Sequence, residues 1–256
     1  MSFRASADVY DRHVGRYAPQ LSAAVIDAAG VHRSDRVLDV GCGPGGLTQA
    51  LAELVGSEAV AAVDPSDTFV AACRRRVPGA DVRLARAEEL PFEDDTFDVV
   101  LSQLVVNFLD DPSTGLREML RVVRPDGFVA GCVWDYADGM TMLRVFWDAA
   151  LALDPDAPDE GRTMRFCTPH ELRELWARQL DTVEVRELIV HADYDDFDDF
   201  WSPFPEGIAP SGAYCASLDA ERQENLRREC SRRLGDPRAP FTLSARAWFA
   251  RGRASR

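Results

Sequence analysis

A glycine-rich turn between an apolar run and a helical pattern is the sequence feature that most constrains this chain. Residues 36–54 read RVLDVGCGPGGLTQALAEL. Glycine at 41, 43 and 46 fits G-x-G-x-x-G, the dinucleotide fingerprint, whereas glycine at 41, 43 and 45 fits G-x-G-x-G. A strand that ends at Gly41 and a helix that begins near Gly45 leave backbone N–H groups at the carboxyl end of the strand, where open parallel sheets bind ligands. The two patterns imply different cofactors.

Short apolar strands alternate with helical patterns on both sides of this turn. Helices are predicted at Ser22–Ala29, after the glycine turn, after a cap at Ser66 or Asp67, and at Ser113–Val123. Strands are predicted at Val37–Val40, Ala59–Val63, Val82–Ala85, Phe97–Ser102 and Phe128–Trp134. Strands of this length that alternate with helices indicate βαβ units and a parallel sheet, and therefore an α/β fold.

The alternation of strand and helix patterns becomes less regular after Trp134. Helical patterns follow at Met142–Leu153 and Pro169–Leu180, and strand patterns at Val183–Val190 and Phe241–Phe249. Between those two strands lies an irregular stretch, 191–240, which opens on the acid-aromatic run DYDDFDDFWSPFP. We predict one domain over residues 1–256, with a cofactor-binding core at about 30–135 and a cap insertion at about 191–240.

Charge and cysteine usage narrow the class of protein. The 43 acidic residues outnumber the 29 basic ones, and a net charge of −14 disfavours a surface that tracks a nucleic-acid backbone. The six cysteines contain no C-x-x-C motif and are expected to be reduced core residues, and no metal site is predicted. The first residues lack the apolar core of a signal peptide, and no apolar run is long enough to span a bilayer. We expect a soluble, cytoplasmic, bacterial protein without membrane insertion.

Two carboxylates separate the possible cofactors. Asp39 lies inside an otherwise apolar strand, two residues before the first glycine, and a buried carboxylate is unfavourable unless it is paired. The pyrophosphate of a dinucleotide would repel it, whereas a ligand that carries an ammonium or a sulfonium would be attracted. Asp64 ends the second strand and suits the two hydroxyls of a ribose, which either cofactor has. Asp39 therefore favours a cationic ligand over a dinucleotide.

Four blocks in order resemble the class I S-adenosylmethionine-dependent methyltransferases, particularly the broad group that includes quinone-biosynthesis enzymes. They are VLDVGCGPGG from Val37, AVDPS around Asp64, AEELPFEDDTFDVV from Ala87 and LREMLRVVRPDGF from Leu116. The resemblance implies a Rossmann-like fold: a mostly parallel seven-stranded sheet with helices on both faces and a C-terminal cap insertion. It implies S-adenosyl-L-methionine as cofactor and S-adenosyl-L-homocysteine as product.

The resemblance also implies which residues bind the cofactor. The turn residues Gly41, Cys42, Gly43 and Gly45 would meet the methionine portion, with Asp39 near its amino group.

The other predicted contacts lie at the ends of later strands and ahead of the first helix. Asp64 would hold the ribose hydroxyls, Pro65 would pack against the adenine, and Ala87 would offer its N–H to the adenine edge beside Glu88. Ser102 or Gln103 would lie beside the methionine and the acceptor. The predicted residues that close over the cofactor are Tyr10, Arg16 and Tyr17.

Two departures from the family pattern affect these expectations. Many relatives have an aspartate where this chain has Arg86, so that adenine recognition would rest on Ala87 and Glu88. The turn RPDG at Arg124–Gly127 replaces the commoner P-G-G, which aspartate tolerates well.

Methyl transfer from a sulfonium is an in-line displacement, so positioning supplies most of the catalysis and no dedicated nucleophile is required. A base is needed only if the acceptor holds a proton of high pKa, and the candidates are left unassigned: His13, Asp135, Tyr136, His170 and His191. Late aromatic residues either line a small-molecule cavity or pack a cap.

A small-molecule methyltransferase is the leading hypothesis. A protein or nucleic-acid methyltransferase, and a non-catalytic protein that binds S-adenosylmethionine or NAD, are the alternatives. The net charge and the absence of N-P-P-[YF] after the fourth strand, where the chain reads SQLVVNF, disfavour a nucleic-acid acceptor. The sequence leaves the acceptor atom and the oligomeric state open.

Overall fold

The computed structural model describes residues 13–180 and 182–253, which form two compact units. The sheet unit consists of residues 18–134, 165–180, 182–188 and 247–253. The aromatic unit consists of residues 13–17, 135–164 and 189–246, and contains the whole stretch predicted as a cap insertion. The assignment of a single domain with an inserted cap stays a prediction.

The central sheet has seven strands in the described chain. They are β1 Val37–Val40, β2 Val60–Asp64, β3 Asp81–Leu84, β4 Phe97–Gln103, β5 Val123–Trp134, β6 Val183–Tyr194 and β7 Phe241–Arg253. Their order is β3-β2-β1-β4-β5-β7-β6; β1 to β5 pair in parallel, and β7 runs antiparallel to β5. The structure confirms the mostly parallel seven-stranded sheet. Strand order reverses beside β1, and such a switch point is where α/β sheets bind ligands.

The helices follow the capping residues in the sequence. They are α1 Ala18–Ala29, α2 Gly46–Val55, α3 Asp67–Arg76, α4 Pro112–Val122, α5 Thr141–Leu153, α6 Glu160–Thr163, α7 Pro169–Ala177, α8 Phe197–Trp201, α9 Ala209–Ser217 and α10 Ala220–Arg233. Ser66 caps α3 by accepting from the Phe69 N–H at 3.4 Å, and Asp111 caps α4 by accepting from the Thr114 N–H at 3.0 Å. None of the helices in the described ranges has the length and apolarity that crossing a membrane requires.

Several elements differ from the predicted bounds. Helix α1 begins four residues earlier than predicted, because Pro19 is tolerated in a first helical turn. Strand β5 begins at Val123, and the pairing shifts so that Val123 faces Phe97 while Phe128 faces Val99. The RPDG segment loops out between these pairs with Asp126 at φ 66°, so aspartate adopts the turn as expected. The stretch 191–240 is largely helical, with α8, α9 and α10.

One apolar core of the sheet unit lies between the sheet and two helices. Apolar strand residues such as Leu38, Val100 and Val129 pack with Leu116 of α4 and Trp176 of α7, and all five are at most 2% exposed. Burial of an aliphatic side chain of this size contributes about 1.5–3 kcal/mol. Strand β1, which leads into the glycine turn, is therefore part of this packed core.

Aromatic rings form the core of the aromatic unit. Phe146 stacks on Phe204 with ring centroids 4.4 Å apart, Phe200 tilts against Phe204 at 5.5 Å, and Tyr194 stacks on Phe241 at 5.2 Å. Phe146, Phe204 and Phe200 are at most 1% exposed. These contacts favour packing over a cavity lining as the role of these rings.

Candidate functional site

The glycine turn connects β1 to α2 and decides between the two glycine patterns. Gly41, Gly43 and Gly45 all have positive φ (80°, 53° and 95°), whereas Gly46 is simply the first residue of α2. The backbone therefore needs glycine at the positions of G-x-G-x-G and not at the last position of G-x-G-x-x-G. This geometry favours the G-x-G-x-G pattern over the dinucleotide pattern.

Gly41 and Gly43 have different surroundings. A Cβ at Gly41 would lie 2.4 Å from Cγ2 of Val105, so the chain's own packing excludes a side chain there. A Cβ at Gly43 would have no heavy atom within 4 Å. Gly43 therefore marks the open side of the turn, where a ligand can approach the main chain.

Asp39 is a buried carboxylate directly ahead of the turn. It is 1% exposed, and its Oδ2 accepts a hydrogen bond from the Thr48 hydroxyl at 2.7 Å. Burial raises the pKa of Asp39 to about 7; the Thr48 hydrogen bond opposes this shift and the Asp64 carboxylate adds to it. Within residues 13–180 and 182–253, Asp39 forms no ion pair. An acid in these surroundings is suited to a cationic ligand.

Asp64 braces the turn from the end of β2. Its Oδ2 accepts the Gly43 N–H and its Oδ1 the Ser66 N–H, both at 2.9 Å. Burial raises the pKa of Asp64, although both backbone hydrogen bonds favour the charged form. Each carboxylate oxygen can accept a further hydrogen bond, so these contacts leave room for a ribose. The ribose contact stays a prediction.

The other candidates of the sheet unit have diverse surroundings. Pro65 is exposed and Ala87 is buried, while Glu88 accepts from the Asp111 N–H at 3.3 Å. The Gln103 amide hydrogen-bonds to the hydroxyl of Ser22 on α1 at 3.2–3.3 Å.

Ser102 differs from these residues in its hydrogen bonding. It is 1% exposed, and its hydroxyl has no hydrogen-bond partner in the described part of the chain. A buried polar atom without a partner requires an explanation, and a bound molecule would supply one.

Of the residues predicted to close over the cofactor, Arg16 and Tyr17 lie in the aromatic unit. Arg16 forms a paired contact with both carboxylate oxygens of Asp199, at 3.0 and 3.1 Å, and its guanidinium stacks 4.0 Å from the ring centre of Tyr194. The Tyr17 and Tyr194 hydroxyls hydrogen-bond to each other at 3.1 Å. Tyr10 lies outside the described residues. The cofactor roles of Tyr10 and Arg16 stay predictions.

The candidate bases occupy structural or exposed positions. Burial lowers the pKa of His13 to about 3, and its Nε2 lies 3.4 Å from the Ser211 hydroxyl. Asp135 is paired with Arg246 at 2.7 Å. The Tyr136 carbonyl accepts from Arg144. The side chains of His170 and His191 are exposed. These surroundings agree with leaving the base unassigned.

Sequence reasoning missed three residues beside the turn. Val105 packs against Gly41, Thr48 binds Asp39, and the Cys73 thiol lies 3.6 Å from the Thr48 hydroxyl. Thr48 has a detectable signal, because it is a polar residue among the apolar positions of the buried face of α2. Val105 and Cys73 contact the turn only through the tertiary fold.

Comparisons with known proteins agree with this geometry. Residues 38–131 match a family model described as a methyltransferase domain. A ubiquinone/menaquinone biosynthesis C-methyltransferase of Idiomarina loihiensis is 39% identical over 111 residues, or 41% of this chain and 44% of that protein. A malonyl-[acyl-carrier protein] O-methyltransferase of Halorhodospira halophila is 31% identical over 178 residues, or 67% of this chain and 57% of that protein. The chain spans about half the length of the curated relatives it matches.

Solved structures show the same fold. A protein of Anaeromyxobacter dehalogenans, provisionally named a type II methyltransferase, superimposes with a TM-score of 0.66 and 20% identity, over 94% of this chain and 97% of that one. The [4+2]-cyclase SpnF also matches, with a TM-score of 0.54 and 17% identity over 93% and 82%. Because a cyclase shares the architecture, the fold alone does not define the reaction.

The glycine pattern, the switch-point position and the family model that matches residues 38–131 together indicate a methyltransferase domain in this part of the chain. The chain is similar over this region to S-adenosylmethionine-dependent methyltransferases.

Proposed function

We propose that this protein transfers a methyl group from S-adenosylmethionine to a small-molecule acceptor. The observation that carries the proposal is the buried Asp39 carboxylate at the open glycine turn, which has no ion-pair partner in the described chain. The ammonium and sulfonium groups of S-adenosylmethionine would offset its charge, whereas a pyrophosphate would not.

The residues of the turn fit such a ligand. Gly43 leaves its main chain open to approach, and Cys42 and Gly45 shape the same turn. Asp64 has free acceptor capacity for ribose hydroxyls, and Pro65, Ala87 and Glu88 would border the adenine. The unpartnered Ser102 hydroxyl, with Gln103 beside it, would face the methionine portion and the acceptor.

The protein's part in the reaction is to position the reactants and to exclude water. The cofactor supplies a methyl group on a sulfonium, which a lone pair of the acceptor displaces in line. Holding donor and acceptor in this alignment can contribute about 7–11 kcal/mol. The low pKa of His13 and the ion pair of Asp135 make these two candidates poorly suited to act as a base.

The names of two relatives support an acceptor of low molecular weight or an acyl group, not a nucleic acid or a protein side chain. One relative is named for ubiquinone/menaquinone biosynthesis, and the other for malonyl-[acyl-carrier protein], in which the malonyl group is carried on a protein. The net charge of −14 argues against a nucleic-acid acceptor. We also propose that the protein acts in the cytoplasm without membrane insertion.

Purified protein with methyl-labelled S-adenosylmethionine and a fractionated metabolite extract tests the proposal. We expect label in a small-molecule fraction and S-adenosylhomocysteine as product. Label only in protein or nucleic acid would contradict the small-molecule acceptor. Cofactor binding without any label transfer would favour a non-catalytic binder.

A further inference from the structure

Thr48 occupies an unusual position for a threonine inside a helix. It is the third residue of α2 and is 0% exposed. A helical threonine ordinarily faces solvent or bonds back to its own helix, and a valine would fill the same volume without a buried hydroxyl. Here the hydroxyl lies 2.7 Å from the Asp39 carboxylate, so its presence has a specific partner.

The direction of this hydrogen bond follows from the partners. An ionised carboxylate only accepts, so the Thr48 hydroxyl donates its one proton to Asp39. The remaining acceptor capacity of that hydroxyl faces the Cys73 thiol, which lies 3.6 Å away on α3. The carboxylate is thereby tied through Thr48 to two helices, α2 and α3.

We propose that Thr48 is a positioning residue whose hydroxyl binds the Asp39 carboxylate and holds it in one orientation for the ammonium group of S-adenosylmethionine. The inference rests on the proposed function, because it needs the cofactor's amino group to be the partner of Asp39. Thr48 itself need not touch the cofactor.

The electrostatics of the buried acid agree with this role. Burial and the Asp64 carboxylate both raise the pKa of Asp39, and the Thr48 hydrogen bond lowers it. The titratable groups that face Asp39 in the described chain are Asp64 at the end of β2, Cys42 in the turn and Cys73 on α3. None of them is a cation. Thr48 therefore favours the ionised form of Asp39, through its hydroxyl and its backbone N–H, against the opposing effects of burial and the Asp64 carboxylate.

Removal of the hydroxyl has a calculable consequence. A hydrogen bond to a charged group is equivalent to roughly one to two pH units of pKa shift. Thr48→Val should raise the pKa of Asp39 by that amount and weaken binding of S-adenosylhomocysteine roughly tenfold at neutral pH. Thr48→Ser keeps the hydroxyl and should retain the wild-type pH dependence. Cys73→Ala removes only the outer link and should have a smaller effect.

Calorimetric titration across the neutral pH range tests the inference with two probes. S-adenosylhomocysteine carries the amino group, and 5′-methylthioadenosine lacks the whole amino-acid portion. We expect Thr48→Val to move the midpoint of the pH dependence of the S-adenosylhomocysteine affinity upward and to leave 5′-methylthioadenosine affinity unchanged. Equal weakening of both probes, or an unchanged pH midpoint, would overturn the positioning role.

The controls separate this inference from the proposed function. A wild-type protein that binds neither probe contradicts the proposed function itself, whereas a normal wild type with an unaltered Thr48→Val variant contradicts the inference alone. Circular dichroism checks folding. If the valine variant does not fold, Thr48→Ala serves in its place, with the same two probes and the same expected outcomes.

Discussion

The glycine turn of the sheet unit and the ring cluster of the aromatic unit both bury an acid whose pKa is about 7. In the turn, Asp39 has the hydroxyl of Thr48 for a partner. In the aromatic unit, Glu160 accepts from the indole N–H of Trp147 at 2.9 Å, and burial raises its pKa to about 7. Asp39 lies beside an open glycine, whereas Trp147 is 0% exposed. The same electrostatic shift therefore accompanies a proposed ligand site in one region and a packed core in the other.

The largest expected loss of stability comes from a substitution in the ring cluster of the aromatic unit. Phe204→Ala removes a ring that contacts Phe146 and Phe200, so we expect the free energy of unfolding to fall by about 3–5 kcal/mol. Phe108→Ala, at a side chain that is 40% exposed, should have a much smaller effect. Urea unfolding followed by fluorescence measures both variants. Equal losses would show that the ring cluster is not a core.

Both buried acids should make the stability of the free protein depend on pH in the same direction. Because the folded protein holds the Glu160 proton more tightly than the unfolded chain, the free energy of unfolding falls as the pH rises from about 4.5 to about 7. Glu160→Gln should remove up to about 3 kcal/mol of that decline. Asp39→Asn should remove a similar decline in the free protein. Urea unfolding at several pH values measures both contributions.

Bound S-adenosylhomocysteine provides the contrast between these acids. We expect it to lower the pKa of Asp39 and to leave that of Glu160 unchanged, as followed by NMR of the labelled carboxyl carbons. A ligand-induced shift at Glu160 instead would contradict the assignment of the turn as the site.

The turn itself is tested at its second carboxylate. Asp64→Ala removes the acceptor of the Gly43 and Ser66 N–H groups as well as the proposed ribose contact, so S-adenosylmethionine should bind at least roughly tenfold more weakly. Asp64→Asn retains one acceptor and should lose less. Asp67→Ala, at an exposed acid nearby, is the matched control for calorimetry. Wild-type affinity in a folded Asp64→Ala protein would remove Asp64 from the site.

The smallest expected effect lies at the open glycine. Gly43→Ala places a methyl group in empty space but in a left-handed conformation, which costs about 1–2 kcal/mol. Gly235→Ala, also at positive φ with no neighbour within 4 Å, should lose similar stability. Only the Gly43 variant should weaken S-adenosylhomocysteine binding. If both variants bind alike, the open side of the turn does not face the ligand.

The sequence predicted the sheet unit better than the aromatic unit, for a physical reason. Strands such as Val37–Val40 and caps such as Ser66 depend on local patterns, and the structure reproduces both. In the aromatic unit, α8 to α10 have short or weakly apolar faces, and their stability comes from contacts distant in sequence, such as Phe204 with Phe146. No periodicity in a local window carries that information.

The candidate site shows the same division. Asp39 and the glycines follow from the sequence motif, but the hydroxyl that binds Asp39 and the valine that requires glycine at position 41 lie nine and sixty-four residues away from their partners. The hydrogen bonds that Asp64 accepts from the backbone could not be predicted from the sequence either, because they depend on the relative position of β2 and the glycine turn.

The most direct test of the central claim is a calorimetric titration of the wild-type protein with S-adenosylhomocysteine and, separately, with NAD. A buried carboxylate at a G-x-G-x-G turn predicts micromolar affinity or better for S-adenosylhomocysteine and no measurable affinity for NAD, which would place a pyrophosphate near Asp39. Tight NAD binding with no response to S-adenosylhomocysteine would contradict the account.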